Sequence, residues 1–185
     1  DKNKGRGRVE EDRENWNILD IFNKDVELKD ALVLLRTRFL FSMPLEKSKR
    51  IMLTSVMPDE GKSTIAALLA ATLAQLGEKV LLISSDIRRP LLTKYLGVST
   101  QKGLTDFLVG AVSKPSEIIT DVSGSSFKLL SAGSATPNPT ELLESRRFQE
   151  LLEKVSKDFE RVIIDSTPIL YIPDGFMIAK KVLSY

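Results

Sequence analysis

The chain has 185 residues, is 42% apolar and 28% charged, carries a net charge of +2, and contains neither histidine nor cysteine. That length supports one domain with a substantial core, and the near-neutral balance gives no argument for a nucleic-acid partner or a membrane surface. Disulfides, Cys/His zinc sites, thiol nucleophiles and every imidazole-based scheme are excluded, which leaves carboxylates, lysines, hydroxyls, backbone amides and a hard metal ion held by oxygen. The absence of cysteine fits a reducing cytoplasm, no apolar run reaches the roughly 18 to 20 residues of a membrane helix, and no signal peptide is visible. The expected location is cytoplasmic, with any membrane contact supplied by another segment or a partner.

Residues 1–16, DKNKGRGRVEEDRENW, are charged, glycine-containing and almost free of apolar groups, and read as a solvated linker or tether ahead of a domain over 17–185. Trp16 stands at that junction. Leu28, Ala31, Leu32, Leu35 and Phe39 recur at helical spacing and predict a helix over 26–41 with that face inward, ended at Met43-Pro44. The basic KSKR run at 47–50 reads as a solvated turn or an approach to anionic lipid. From there strands and helices alternate. Strands are predicted at 50–56, 79–85, 127–133 and 161–165. Helices are predicted at 62–77 (closed by Gly77), from 88–97 (with Pro90 in the first turn), at 103–110, 113–120, 140–159 and 174–185. This pattern implies an α/β fold, a mostly parallel sheet with helices on both faces, whose ligands sit beyond the carboxyl ends of the strands.

One segment, MLTSVMPDEGKST at 52–64, places Gly61, Lys62, Ser63 and Thr64 between a buried strand and a helix start. Free N–H groups and the positive end of a helix dipole face an anion at such a junction. Lys62 can reach the outer phosphates of a nucleotide, and the Ser63 hydroxyl can ligate Mg²⁺. The pattern G-x-x-x-x-G-K-[ST] is met only in part, because Val56 occupies the first glycine position. The plain alternative is a helix N-cap turn with a chance Gly-Lys-Ser. RVIID ends on Asp165 and LLISSD on Asp86, which places carboxylates at two further strand ends, as a magnesium–nucleotide site requires. Each aspartate taken alone is also a common turn starter.

These segments resemble the bacterial tyrosine kinases of capsule and exopolysaccharide systems. TSVMPDEGKST is similar to their T-S-x-x-P-G-E-G-K-S-T loop, and VLLISSDIRRP to an apolar run followed by D-x-D-x-R. SAGSATPNPTELLES is similar to G-x-x-P-P-N-P-x-E-L-L-x-S, and RVIIDSTPILYIPDG to V-I-I-D-x-P-P with a following aspartate. The likeness begins near residue 26 and runs to the end. It implies a Rossmann-like P-loop NTPase fold, ATP and Mg²⁺, and phosphoryl transfer to tyrosines. It also implies a membrane-embedded polysaccharide co-polymerase as fused domain or separate activator, a ring-type homo-oligomer, a place at the inner face of the plasma membrane, and no nucleic acid. By position, Lys62, Asp86 and Arg88 would be catalytic. Asp59, Glu60, Gly61, Lys62, Ser63 and Thr64 would line the phosphate loop. Ser63, Asp86 and Asp165 would serve the metal.

The departures from the family pattern bear on activity. Ser84 replaces the first aspartate of D-x-D, and a serine cannot do a carboxylate's general-base work. Asp59 replaces a loop glycine, where its charge would either repel phosphate or point to solvent. In the family's first-helix motif E-x-x-R-x-x-R, Asp30 and Val33 stand for Glu and Arg, and Arg36 is kept. The three tyrosines, Tyr95, Tyr171 and Tyr185, form no cluster. The family's sheet continues past the last helix seen here, so the domain is expected to lack its final strands and to leave 50–56 as an apolar edge. Arg88-Arg89 also suits a solvated face, and PNPTELL a helix entry with Thr140 as N-cap and Leu142 and Leu143 inward. A second function class stays open: an ATP-binding or ATPase switch that regulates a membrane partner without phosphorylating tyrosine. The cell-division and plasmid-partition ATPases are its models, but they carry a second lysine where this chain has Met57.

Overall fold

Five strands form one sheet in the order β1-β5-β2-β4-β3, where β1 is Arg50–Leu53, β2 Val80–Ser84, β3 Ile119–Asp121, β4 Lys128–Leu130 and β5 Arg161–Asp165. All neighbours run parallel except β3, which lies antiparallel on β4. The computed structural model describes residues 17–42, 49–170 and 173–183. The linker with Trp16, the Met43-Pro44 stop, Lys47, Ser48, Tyr171 and Tyr185 lie outside them.

Helices cover both faces, as the alternation predicts. On one face Val80, Leu82, Leu129 and Ile163 pack under α3 (Lys62–Ala74), which is in turn covered by α1 (Ile18–Lys24) and α2 (Val26–Ser42). Ala66, Ala67, Ala70, Ala71 and Ala74 let α3 sit close to the sheet and to its covering helices. On the other face Leu81, Ile83, Leu130, Val162 and Ile164 pack against α5 (Leu104–Leu108), α7 (Arg146–Asp158) and α8 (Asp174–Leu183). The strict alternation along β2 and β5 is what divides the core in two.

Six local expectations change. The helix expected from 88–97 is the single turn α4 (Leu92–Tyr95), capped by Leu91, so Pro90 precedes it rather than sitting in its first turn. The helix α1 was not foreseen; Asn17 caps it by accepting from Leu19 N–H at 2.9 Å, and Ile18, Leu19 and Phe22 bury one short face. On α2 the inward stripe is Leu28, Leu32, Arg36 and Leu40, while Ala31 and Leu35 face solvent. The helix meets α3 along a narrow i, i+4 line, and Arg36 fixes its rotation by donating to the Thr72 carbonyl at 2.9 Å. The segment 113–120 is not a helix: a single 3₁₀ turn at Pro115–Glu117 leads into β3. Ile118 is buried and Ile119 half-buried at this sheet edge, and two β-branched residues in a row suit a strand.

The fifth change is at 140–159, which is two helices. Ser145 takes an extended conformation between α6 (Pro139–Glu144) and α7, and its side chain caps α7 at the Phe148 N–H. Thr140 is not the N-cap of α6; Asn138 holds that position with Pro139 as the first helical residue. Leu143 is fully buried as expected and Leu142 half-buried. Last, β1 stops at Leu53, short of Val56, because Thr54 turns to donate its hydroxyl to the Thr167 carbonyl at 2.9 Å. Among the described residues β1 has one ladder partner and is half-buried throughout, the edge position expected of it.

Candidate phosphate and metal site

The strand register builds the site. Leu53, Asp165 and Ser84 stand side by side at the carboxyl ends of β1, β5 and β2. Side-chain alternation turns Asp165 and Ser84 to the α3 face, the face that Ile163 and Leu82 share. The loop from β1 to α3 arrives over the same point. Gly61, at φ +81°, is the N-cap of α3 and supplies no side-chain acceptor, so no cap oxygen competes for the first-turn N–H groups.

Lys62 sits at the centre. Its Nζ donates to Asp165 Oδ1 at 2.6 Å, lies 3.4 Å from Ser63 Oγ and is 3.9 Å from Asp86 Oδ2. The Lys62 and Asp165 side chains are 7% and 1% exposed. Burial holds the Asp165 carboxyl above its usual range, opposed by the Lys62 charge, by the hydrogen bond from Lys62, and by the Ser63 hydroxyl. Burial also raises Asp86, opposed by the backbone N–H of Arg89, which donates to Asp86 Oδ1 at 3.0 Å, and by the charges of Lys62 and Arg89. Ser63, Asp86 and Asp165 thus bring one hydroxyl and two carboxylates together beside a lysine and a helix N-terminus. Oxygen donors of this kind suit a hard cation next to phosphate.

A cavity of about 280 Å³ opens over this cluster, walled by Asp59, Gly61, Lys62, Ser63 and Thr64 from the loop and by Asp86, Arg88, Arg89, Leu91 and Tyr95 from the opposite side. Six of the predicted phosphate-loop and metal residues therefore share one cleft. The two that do not line it are Glu60 and Asp165. Asp165 lies beneath Lys62. Glu60 turns back into its own loop, where its Oε2 accepts from Val56 N–H at 2.9 Å and Met57 N–H at 3.1 Å and so holds the turn in shape.

Arg88 reaches the cleft but is engaged on its far side. Its Nε donates to Asp174 at 2.9 Å and its Nη2 to the Thr140 hydroxyl at 3.0 Å, and Thr140 in turn donates to Asp174 at 2.5 Å. Asp174 is fully buried, so this trio ties the segment after β2 to α6 and α8. Sequence reasoning gave Thr140 and Arg89 no site role and left out Leu91 and Pro168, which also line the cleft. Only the close approach of distant segments brings them in. Ser84 Oγ, 1% exposed beside Asp165, has no hydrogen-bond partner among the described residues, and neither does Thr167 Oγ1.

A family model described as an AAA domain matches residues 49–183. The tyrosine-protein kinase ptk of Acinetobacter johnsonii is 38% identical over 169 residues, covering 91% of this chain and 23% of that protein. Among solved structures, the kinase domain of Escherichia coli tyrosine kinase ETK superposes with a TM-score of 0.84 at 31% identity, over 91% of this chain and 66% of that one. The BceF tyrosine kinase domain superposes with a TM-score of 0.80 at 32% identity, over 95% of this chain and 70% of that one. The chain belongs to the bacterial tyrosine kinase family. It has the P-loop NTPase fold of these kinase domains, and it spans about a quarter of the length of the curated relatives. No helix among the described residues of this kinase-family domain is long and apolar enough to cross a membrane.

Proposed function

We propose that this chain is the ATP-binding domain of a protein-tyrosine autokinase that regulates the chain length and export of a capsular or extracellular polysaccharide. The observation that carries the reading is the contact of Lys62 with Ser63, Asp165 and Asp86 under an open helix N-terminus, in a chain of this family. In this reading the backbone amides of Asp59 to Ser63 and the Lys62 ammonium hold the nucleotide phosphates, and Thr64 lines the loop. Ser63, Asp165 and Asp86 would hold Mg²⁺. ATP with Mg²⁺, when bound, supplies the phosphoryl group and the metal that neutralises its charge. The protein contributes positioning and fixed charge. Lys62, at the centre of the cluster, would offer its ammonium to phosphate, and Arg88, steadied by Asp174 and Thr140, presents a cation at the cleft wall. Glu60 serves by shaping the loop.

The proposal extends to the setting. A membrane-embedded polysaccharide co-polymerase, fused or separate, would hold the domain at the inner face of the plasma membrane, and copies of the domain would assemble as a ring. The competing reading, an ATP-binding switch without transfer, rests on Ser84, whose hydroxyl stands where the family has a carboxylate.

One experiment separates the two. The chain is incubated with Mg²⁺ and ATP, its intact mass is read and phosphosites are mapped, with Lys62→Met alongside. Phosphotyrosine that disappears in the variant supports the kinase. Unchanged mass with ATP bound favours the switch or a domain separated from its acceptor tyrosines; an added tyrosine peptide tells these apart, and restoring Ser84→Asp then tests whether the missing carboxylate is the cause. Unchanged mass with no ATP bound refutes the phosphate-cradle reading.

A further inference from the structure

The loop departs from the family pattern at Asp59, and the structure pairs that departure with Arg89. Asp59 is the one described non-glycine residue with positive φ, at +63°, a region that favours the glycine it replaces. Asp59 lines the same cleft as Lys62, Ser63 and Asp86. An anion there opposes the arrival of a polyphosphate. Arg89 Nη1 lies 3.5 Å from Asp59 Oδ2, so the pair spans the cleft from the phosphate loop to the segment after β2. The two side chains are 59% and 70% exposed, so charge rather than packing brings them together. The backbone of Arg89 is anchored independently, through its N–H to Asp86.

We propose that Arg89 is the charge partner that makes Asp59 compatible with nucleotide binding, and that this pair sets the affinity of the site for polyphosphates. The inference rests on the nucleotide-binding reading. With Arg89 in place the loop presents a neutral pair to the incoming ligand. Without it, Asp59 becomes an uncompensated negative charge at the mouth. Arg89 is a positioning and screening residue in this account, and its importance exists only while Asp59 is present.

The test is a double-mutant cycle read as Mg²⁺-ADP affinity by calorimetry, on the wild-type chain, Asp59→Gly, Arg89→Ala and the double variant, at low and high salt. Arg89→Ala is expected to weaken binding about tenfold at low salt, within the usual range for coupled neighbours, and Asp59→Gly in that background to recover most of the loss. High salt shrinks the effect, because both side chains are exposed to screening ions. Arg89→Lys keeps the charge and most of the affinity. An equal loss from Arg89→Ala with and without Asp59 would mean that the arginine acts on phosphate directly, and would overturn the proposal. No loss at all, or a loss indifferent to salt, would also overturn it. Absence of ADP binding to the wild-type chain would instead remove the nucleotide reading on which it stands.

Discussion

Replacing Lys62 by methionine should destabilise the free domain, and the loss should depend on pH. The ammonium is 2.6 Å from a carboxylate that is 1% exposed, so its removal strands a charge inside the protein. Breaking a buried pair by deleting one partner costs about 3 to 5 kcal/mol. The lower figure applies here, because the Ser63 hydroxyl still serves Asp165. About 3 kcal/mol lowers the melting temperature of a domain this size by about 6 to 12 °C.

The pH dependence has a definite sign. The Asp165 carboxyl already lies above 3.8 in the folded protein because of burial, and the Lys62 charge is the strongest influence pulling it down. Without Lys62 it rises further. A carboxyl raised by folding makes the fold less stable at high pH, and the penalty fades as pH falls through the folded value toward 3.8. The melting gap between wild type and variant should therefore be full at neutral pH and narrower at an acidic pH approaching 3.8. Asp165→Asn in the Lys62→Met background should recover most of the loss. Thermal unfolding by circular dichroism, without nucleotide or metal, measures this. A gap equal at both pH values, or a double variant no better than the single one, would refute the reasoning.

Three further outcomes are expected. Mg²⁺-dependent nucleotide affinity should begin to fall on acidification before pH 3.8 is reached, because burial raises both Asp86 and Asp165 and the protonated carboxyls no longer ligate metal; an affinity unchanged until pH falls below 3.8 in a series of binding titrations would contradict this. Gly133→Ala should cost about 2 to 4 kcal/mol in urea unfolding, since Gly133 has φ +84° and an added Cβ would stand 2.5 Å from Asp106 Oδ2 and 2.7 Å from Thr105 Oγ1. A cost under half a kilocalorie would show that the loop relaxes freely. Ser145→Ala should cost about 1 kcal/mol in the same assay, because it removes the cap of α7 at the Phe148 N–H.

The alternation of buried strands with helices was legible in the sequence because period and burial leave a direct imprint on residue type. So were the phosphate loop and the two strand-end aspartates, because helix dipole, backbone amides and oxygen ligands need those residues at those spacings. The short helix α1 was hidden beside a charged stretch. The break at Ser145 was hidden because helical periodicity runs across it on both sides, and only the cap on Phe148 reveals it. Segment 113–120 was ambiguous because its apolar residues are too few to define a period.

Sequence alone determined that Lys62, Ser63, Asp86 and Asp165 lie at strand and helix ends. Tertiary structure decided which of them touch. The insertion of β5 between β1 and β2 puts Asp165 under Lys62 and beside Ser84, and no local pattern encodes that strand order. The same packing turns Glu60 into its own loop, binds Arg88 to Asp174 and brings Arg89 to Asp59. The reason is physical: residue type records whether a position is buried or exposed, whereas a partner many tens of residues away is chosen by how whole elements stack and in what register.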